Sequence, residues 1–555
     1  MGEAAAARCG VGLWSACTVS NSERDVHKVI RKQGTALNVP LSHLNIKGLD
    51  IPWISPRNWL AWLVNKGLWT HLAGVARSQY DAAGSMWTEF WRRYQTLHPH
   101  FELFDIPNVD LSCCAAFLVH GDEGRTLKRS AIMVTSLQSA LGSGYDTKRV
   151  GILNQGALPL KVNYAGHSFT HRFISTALPK TIYEDDPEIF HGVMEEFALS
   201  LRSLLFDGVV DPMTNKTYRV AVVAVKGDAP YLVKMGRFYR SYNTTVKRGD
   251  ERTVPKGVCH RCLAGCIGFP AEEIGTDNPK WLPTQGVRLP WTVTPAVIRH
   301  LVHDKTDPST YFQTDIWHIV HLGFGRSWIA SVIALTLEVL PCPNLEAKWD
   351  YLTDRYKDWC QQNHKQSHVS SITPYLMSYH DKTGAMGNWS KGMLTTNFMQ
   401  FLVVLLSSLP RDHRNRLELC QKATTWMNEL FSCLYQADAF LTKNECEYVF
   451  QRGFGFLKAY EALAQSLFRQ DKPWLFPLYP KTHSFHEQMI TMKINSDQHN
   501  MSINPMVFGC QCDEDTVGRA ARLSRRVNVR MVMQRTMQRY LVSAHSAFAK
   551  ANLLG

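Results

Sequence analysis

The sequence predicts an α/β protein: a mixed-sheet core, a large and mainly helical insertion, and a helical segment ahead of the core. Three observations lead there. Between residues 113 and 240, apolar β-branched runs separated by Gly-containing turns flank one amphipathic helical pattern. Residues 330–470 carry apolar stretches at helical spacing, among them Thr395 to Leu409 and Ala423 to Phe440. The chain has 555 residues, 45% hydrophobic and 20% charged, which is a globular composition with room for more than one folding unit at ~100–200 residues each.

Residues 1–50 mix Ser, Asn, Lys and Gly without clear periodicity and read as a partly ordered lead-in. From 51 to 110, Trp53, Trp59, Trp62, Trp69, Trp87, Phe90 and Trp91 recur at near-helical spacing. Such rings can stack on bases, but an aromatic stripe of this kind reads first as core. Within 111–290, Cys114 to His120 is a short buried strand ended by Gly121-Asp122-Glu123-Gly124, and Ala131 to Leu141 and His167 to Leu178 are two more. Pro187 to Phe206 places Ile189, Phe190, Val193, Phe197, Leu201 and Leu204 on one helical face. Tyr218 to Val225 is a further strand, running into Gly227-Asp228-Ala229-Pro230, where Pro suits the first turn of a following helix. The helical insertion is expected over 291–475, with a break at Gly453-Phe454-Gly455, and a C-terminal part over 476–555 ends in an acidic and then basic helix.

The order strand, strand, strand, helix, strand, helix is that of an RNase H-like core, in which the first and fourth strands lie side by side. Asp122 ends the first and Asp228 the fourth. Carboxylates brought together from neighbouring strand ends can hold Mg²⁺ or Mn²⁺, hard cations that take oxygen ligands, and two such ions can clamp a phosphoryl transfer. The plainer alternative is that each Asp caps a turn or helix. A phosphate-binding G-x-x-x-x-G-K-[ST] loop, a G-x-S-x-G elbow and an H-E-x-x-H pair are all missing, which argues against ATP-driven, serine-hydrolase and zinc-protease chemistry.

Cys259-His260-Arg261-Cys262 has the spacing of half a structural Zn²⁺ site; Cys266 is a candidate third ligand, and a fourth is sought among His300, His303, Cys510 and Cys512. Buried free thiols are the alternative. Fourteen cysteines are too sparse for a disulfide scaffold, and Met1 to Val11 has no signal-like pattern, so a reducing, intracellular compartment is expected. The apolar runs Trp328 to Leu340 and Phe398 to Leu409 fall short of the ~20 residues of a membrane span and read as buried helices.

Lys and Arg number 61 against 48 Asp and Glu, a net charge of +13 that favours a polyanionic partner. Arg519, Arg522 and Arg526 would share one helical face and could track DNA phosphates; a solvated basic face is the alternative.

Asp122 after the first strand, Asp228 in Gly-Asp-Ala-Pro, the Cys259-x-x-Cys262 pair and Thr314-Asp315-Ile-Trp-His318-Ile-Val-His321 together resemble the catalytic region of the CACTA (En/Spm-like) DDE/D transposases. The resemblance covers roughly residues 110–330 and, more loosely, 480–540. It departs from the family where Asp-Phe-Pro-Ala becomes Asp228-Ala-Pro-Tyr. It implies a nuclear, DNA-binding, Mg²⁺-dependent polynucleotidyl transferase that cleaves and joins strands, with self-association allowed and no membrane. The catalytic set would be Asp122, Asp228 and a third acid: Glu514 is favoured, with Asp315 and Glu461 as alternatives. His318 and His321, flanked by apolar residues, read as core histidines rather than ligands. The other function class is a catalytically inactive transposon-derived DNA-binding or scaffold protein.

Overall fold

A computed structural model describes residues 32–125, 131–145, 158–245, 254–380, 384–409 and 415–554, with positions 26, 29 and 30; most of the expected lead-in lies outside them. The chain opens with a hairpin, β1 (Ser42–Ile46) and β2 (Leu49–Trp53), closed by Lys47 and Gly48, both at positive φ as a mirror-image hairpin turn needs. The boundary expected at residue 50 therefore falls inside a strand. Next come α1 (Pro56–Asn65), capped by the Ser55 side chain on the Asn58 amide, and α2 (Tyr80–Leu97). Trp59, Trp69, Trp87 and Trp91 are buried. The Trp59 indole donates to the Ile174 carbonyl and that of Trp91 to Cys114, so this stripe is core, continuous with the sheet rather than a separate unit.

The sheet follows: β3 (Cys114–Gly124), β4 (Ile132–Ser139), β5 (Phe173–Pro179), then α3 (Pro187–Phe206), β6 (Val209–Val210), β7 (Thr217–Gly227) and α4 (Ala229–Met235). Its order is β5-β4-β3-β7, with the two-residue β6 antiparallel to the start of β7 and β8 (Phe312–Thr314) parallel to its end. β3, β4 and β5 are antiparallel neighbours, and β7 runs parallel to β3, as a crossover through α3 allows. β8 corrects the expected insertion, which does not begin at 291. Three residues are too short to register as a strand by alternation. The third expected strand starts later than His167, because Ser168–His171 form a helical turn.

Beyond β8 the helices accumulate: α5 (Ile316–Ile319), an irregular turn over Val320–Phe324, then α6 (Gly325–Val339), α7 (Leu345–Gln362), α8 (Gly392–Ser407) and α9 (Asn415–Gln436). The run Ile316–Val339 is long and apolar enough to cross a membrane, yet 83% of its apolar window is buried inside the protein. After β9 (Phe440–Thr442), α10 (Lys443–Phe468) runs unbroken through Gly453-Phe454-Gly455, contrary to the expected break. A Cβ on Gly453 would lie 2.3 Å from the Met489 sulfur, and one on Gly455 3.0 Å from the Trp426 ring, so these glycines permit close helix packing. The chain closes with α11 (Pro480–His499), β10 (Met501–Ile503), α12 (Gln511–Leu523) and α13 (Val532–Lys550), β10 pairing with β9 and α13 reaching β5, where the Tyr540 hydroxyl accepts from the Ile174 amide.

Candidate active site

The register of β3 on β7 places the first two acids. Phe117 opposes Val222 and Leu118 opposes Ala224, so Val223 is an extra residue in β7. The hydroxyls of Tyr311 and Tyr94 donate to the Val222 and Val223 carbonyls, at 3.2 and 3.4 Å. Through this bulge Gly121 comes to oppose Gly227, which sets Asp122, still paired with Val134 of β4, beside Asp228 just past the end of β7. The Asp228 carboxylate caps α4, accepting from the Tyr231 amide at 2.8 Å, with Pro230 in the first turn. Asp122 accepts from the Glu123 amide at 2.6 Å. Asp228 therefore also does what a capping Asp does, whereas Asp122 does not, and the two share one electrostatic environment.

Glu514, in the first turn of α12, interacts with Asp122 and His318. Burial pushes the Asp122 carboxyl up to about 8, and the charges of Glu514 and Asp228 add to that. Asp228 is raised as well, first by burial, against the Tyr231 amide that favours its charged form. Glu514 is lowered: its burial is outweighed by the hydrogen bond and charge of His318. Of the other two candidates, Asp315 is buried and caps α5, while Glu461 accepts from the Gly275 backbone, beside Glu273.

His318 links α5 to α12. Its Nδ1 donates to Asp315 Oδ2 at 2.7 Å and its Nε2 lies 3.2 Å from Glu514 Oε1. Burial disfavours its charge, but these two acids overcome that and raise it to about 10, so it is an imidazolium. This role departs from the core reading; the Asp-x-x-His spacing was visible, but its distant partner Glu514 was not. His321 is a core histidine, against Trp317 and Phe431, and burial lowers it to about 4. Lys481, at the start of α11, donates to the carbonyls of His318 at 2.9 Å and Leu322 at 3.3 Å; burial and then Arg326 lower it to about 8. Beneath the acids lies a buried ion cluster: Lys226 Nζ is 2.8 Å from Asp513 Oδ2, and Arg172 Nε is 3.5 Å from Asp513 Oδ1.

A second cluster lies where the 259–262 loop meets α11. Cys259, Cys262 and His483 offer sulfur and nitrogen atoms all within 4.8 Å of one another, every one buried. The Cys262 sulfur is 3.4 Å from His483 Nε2, and the Cys259 thiol is 3.5 Å from Glu487 Oε2. The hydrogen bond of Cys262 and the neighbouring His483 hold the Cys259 thiol below its ordinary value, whereas burial and Cys259 push Glu487 up to about 7. This group could bind a metal, and its third donor is His483 rather than Cys266, whose sulfur sits beside Gly257 and Arg240. The other expected ligands are also elsewhere: His300 contacts Glu195, His303 faces Glu102, Cys510 lies near Asp315, and Cys512 donates to the Tyr164 carbonyl. His483 and Glu487 are one helical turn apart, and that spacing was the available signal in the sequence.

The basic tail is divided. Arg519 pairs with Asp515 at 2.6 Å, Arg522 is exposed near the end of α12, and Arg526 lies beyond the helix at φ 58°. The three do not form the single helical face expected of them, because α12 ends at Leu523. In comparison with known proteins, the sequence matches no family model and no curated relative.

Proposed function

We propose that this protein is transposase-like, with an RNase H-like core that cleaves and transfers DNA strands using divalent metal at Asp122, Asp228 and Glu514. The observation that carries this reading is that the register of β3 on β7 sets Asp122 beside Asp228, while Glu514, at the start of α12, bears electrostatically on both. Three neighbouring sheet strands run antiparallel and two more run parallel beside them, an order that supports the RNase H-like assignment.

The donor set suits a hard divalent cation. Three half-buried acids lie near the cationic His318, and their mutual repulsion falls on Asp122 and Asp228, both of which are driven toward protonation. Bound there, Mg²⁺ or Mn²⁺ would supply charge stabilisation for the attacking and leaving oxygens of a phosphoryl transfer. Asp122 and Asp228 present their oxygens from rigid strand ends, while His318 orients Glu514 and Asp315 holds His318. Cys259, Cys262 and His483, with Glu487 adjoining, would hold structural Zn²⁺ and tie the 259–262 loop to α11. The charge of +13 suits DNA as the partner, and a nuclear site of action follows from the same reading.

The test is nicking of supercoiled plasmid by the full chain with Mg²⁺ or Mn²⁺. Wild type should nick only with metal, and Asp122→Asn should bind DNA but not nick it. Metal-dependent nicking that survives Asp122→Asn refutes the assignment; DNA binding without nicking by the wild type favours the inactive, DNA-binding alternative.

A further inference from the structure

Two buried charges stand next to two of the acids. Lys226 precedes Asp228 by two residues on β7, and Asp513 directly precedes Glu514 on α12. The ammonium is 2.8 Å from Asp513 Oδ2 and 2.7 Å from the Gly509 carbonyl, and neither side chain has any exposed surface. An ion pair so buried gains little or no stability over an apolar pair of the same size, because both charges lose their hydration. Its worth must lie in direction. Where α12 packs on the end of β3, at Gly124, it meets the strand through Val517 and Ala521, apolar contacts that do not fix a helix along or about its axis. Gln511 reaches Tyr435 and Asp515 reaches Ser168, both on other elements. Lys226 is what ties α12 to the strand that bears Asp228. The bulge at Val223 serves the same end, since it puts Lys226 level with His120 on the α12 side of the sheet.

We propose that Lys226 and Asp513 are a positioning pair, which sets α12 on β7 so that Glu514 faces Asp122 and Asp228. This rests on the metal-site reading above. Neither residue touches the reacting atoms; the pair acts through Glu514, whose carboxylate must be held to within about 0.5 Å to serve as a ligand.

The test is Mn²⁺ binding to the zinc-saturated full chain by calorimetry, with thermal melting alongside. The double variant Lys226→Met/Asp513→Leu replaces the pair with apolar side chains of similar size. Because Asp513→Leu also takes the carboxylate from the buried Arg172, the variant should melt lower than the wild type, and its folded form should bind Mn²⁺ roughly 10–100-fold more weakly, as loss of ligand support typically does. Asp513→Asn, which keeps the shape and removes one charge, should weaken Mn²⁺ binding in the same direction, and it decides the matter if the double variant does not fold. Native Mn²⁺ affinity in the folded double variant, or in Asp513→Asn, overturns the positioning role while leaving the metal site standing. Equal Mn²⁺ binding by wild type and Asp122→Asn removes the metal site itself and the positioning role with it.

Discussion

Gly121 of β3 stands opposite Gly227 of β7, and the ring of Tyr231 from α4 lies across both. A Cβ would come within 2.2 Å of that ring at Gly121 and within 2.5 Å at Gly227. Each glycine is followed by an acid, so the space that lets α4 settle on the sheet also determines where Asp122 and Asp228 emerge.

Gly121→Ala should therefore be an overpacking change. Tyr231 is buried and cannot swing aside, so a loss of ~1–3 kcal/mol of stability is expected, read from chemical denaturation. Metal-dependent nicking should drop further than the unfolded fraction explains, because displaced α4 carries Asp228 with it. Full activity in the folded variant would show that the acids tolerate such a shift.

His318→Ala should leave Asp315 buried without its cation, at a cost of roughly 3–5 kcal/mol. The pH dependence has a definite sign. The folded pKa of about 10 lies above the ordinary ~6.5, so this histidine's contribution is complete below pH ~6.5 and is lost as pH rises toward 10. Melting curves across that range should fall more steeply for wild type than for the variant; parallel curves would count against a charged His318.

Asp122 should work against the metal-free protein. Its carboxyl is raised from ~4 to about 8, so destabilisation grows as pH rises between those values and is complete above 8. In chelator at pH 8, Asp122→Asn should melt higher than wild type, and added Mn²⁺ should raise the wild type alone. If the variant melts lower in chelator, the carboxyl is not under the repulsion described.

Zinc content separates the cysteines. Cys259→Ser or Cys262→Ser should lose bound zinc on elemental analysis and melt lower, while Cys266→Ala keeps it. Wild-type protein purified without chelators but free of zinc would leave Cys259 and Cys262 as buried thiols.

Arg522 and Arg526 are exposed, whereas Arg519 is committed to Asp515. Replacing the exposed pair by Ala should weaken DNA binding for all sequences, with the salt slope falling by ~0.9 for each phosphate no longer neutralised. Arg519→Ala should change the slope least. An unaltered slope in the pair would assign DNA binding to another surface.

Local structure is legible in the linear pattern: the strands ending near Asp122 and Asp228, the amphipathic α3, the Pro-led start of α4 and the buried tryptophan stripe. Each of these rests on periodicity or on a turn residue within a few positions, which a linear pattern records. It also singled out Cys259 and Cys262, because their partnership is a matter of spacing. Tertiary packing alone reveals that Val223 bulges and so brings Gly121 level with Gly227, that His318 reaches Glu514, the acid the sequence already favoured, and that His483 rather than Cys266 lies with the two thiols. The glycines at 453 and 455 show the same limit, since their packing partners Met489 and Trp426 lie on other helices. Those choices depend on pairings between residues tens to hundreds of positions apart, such as Lys226 with Asp513 and His318 with Glu514. Such pairings form only when the sheet and its covering helices close together, and no local propensity encodes which distant side chain will be there.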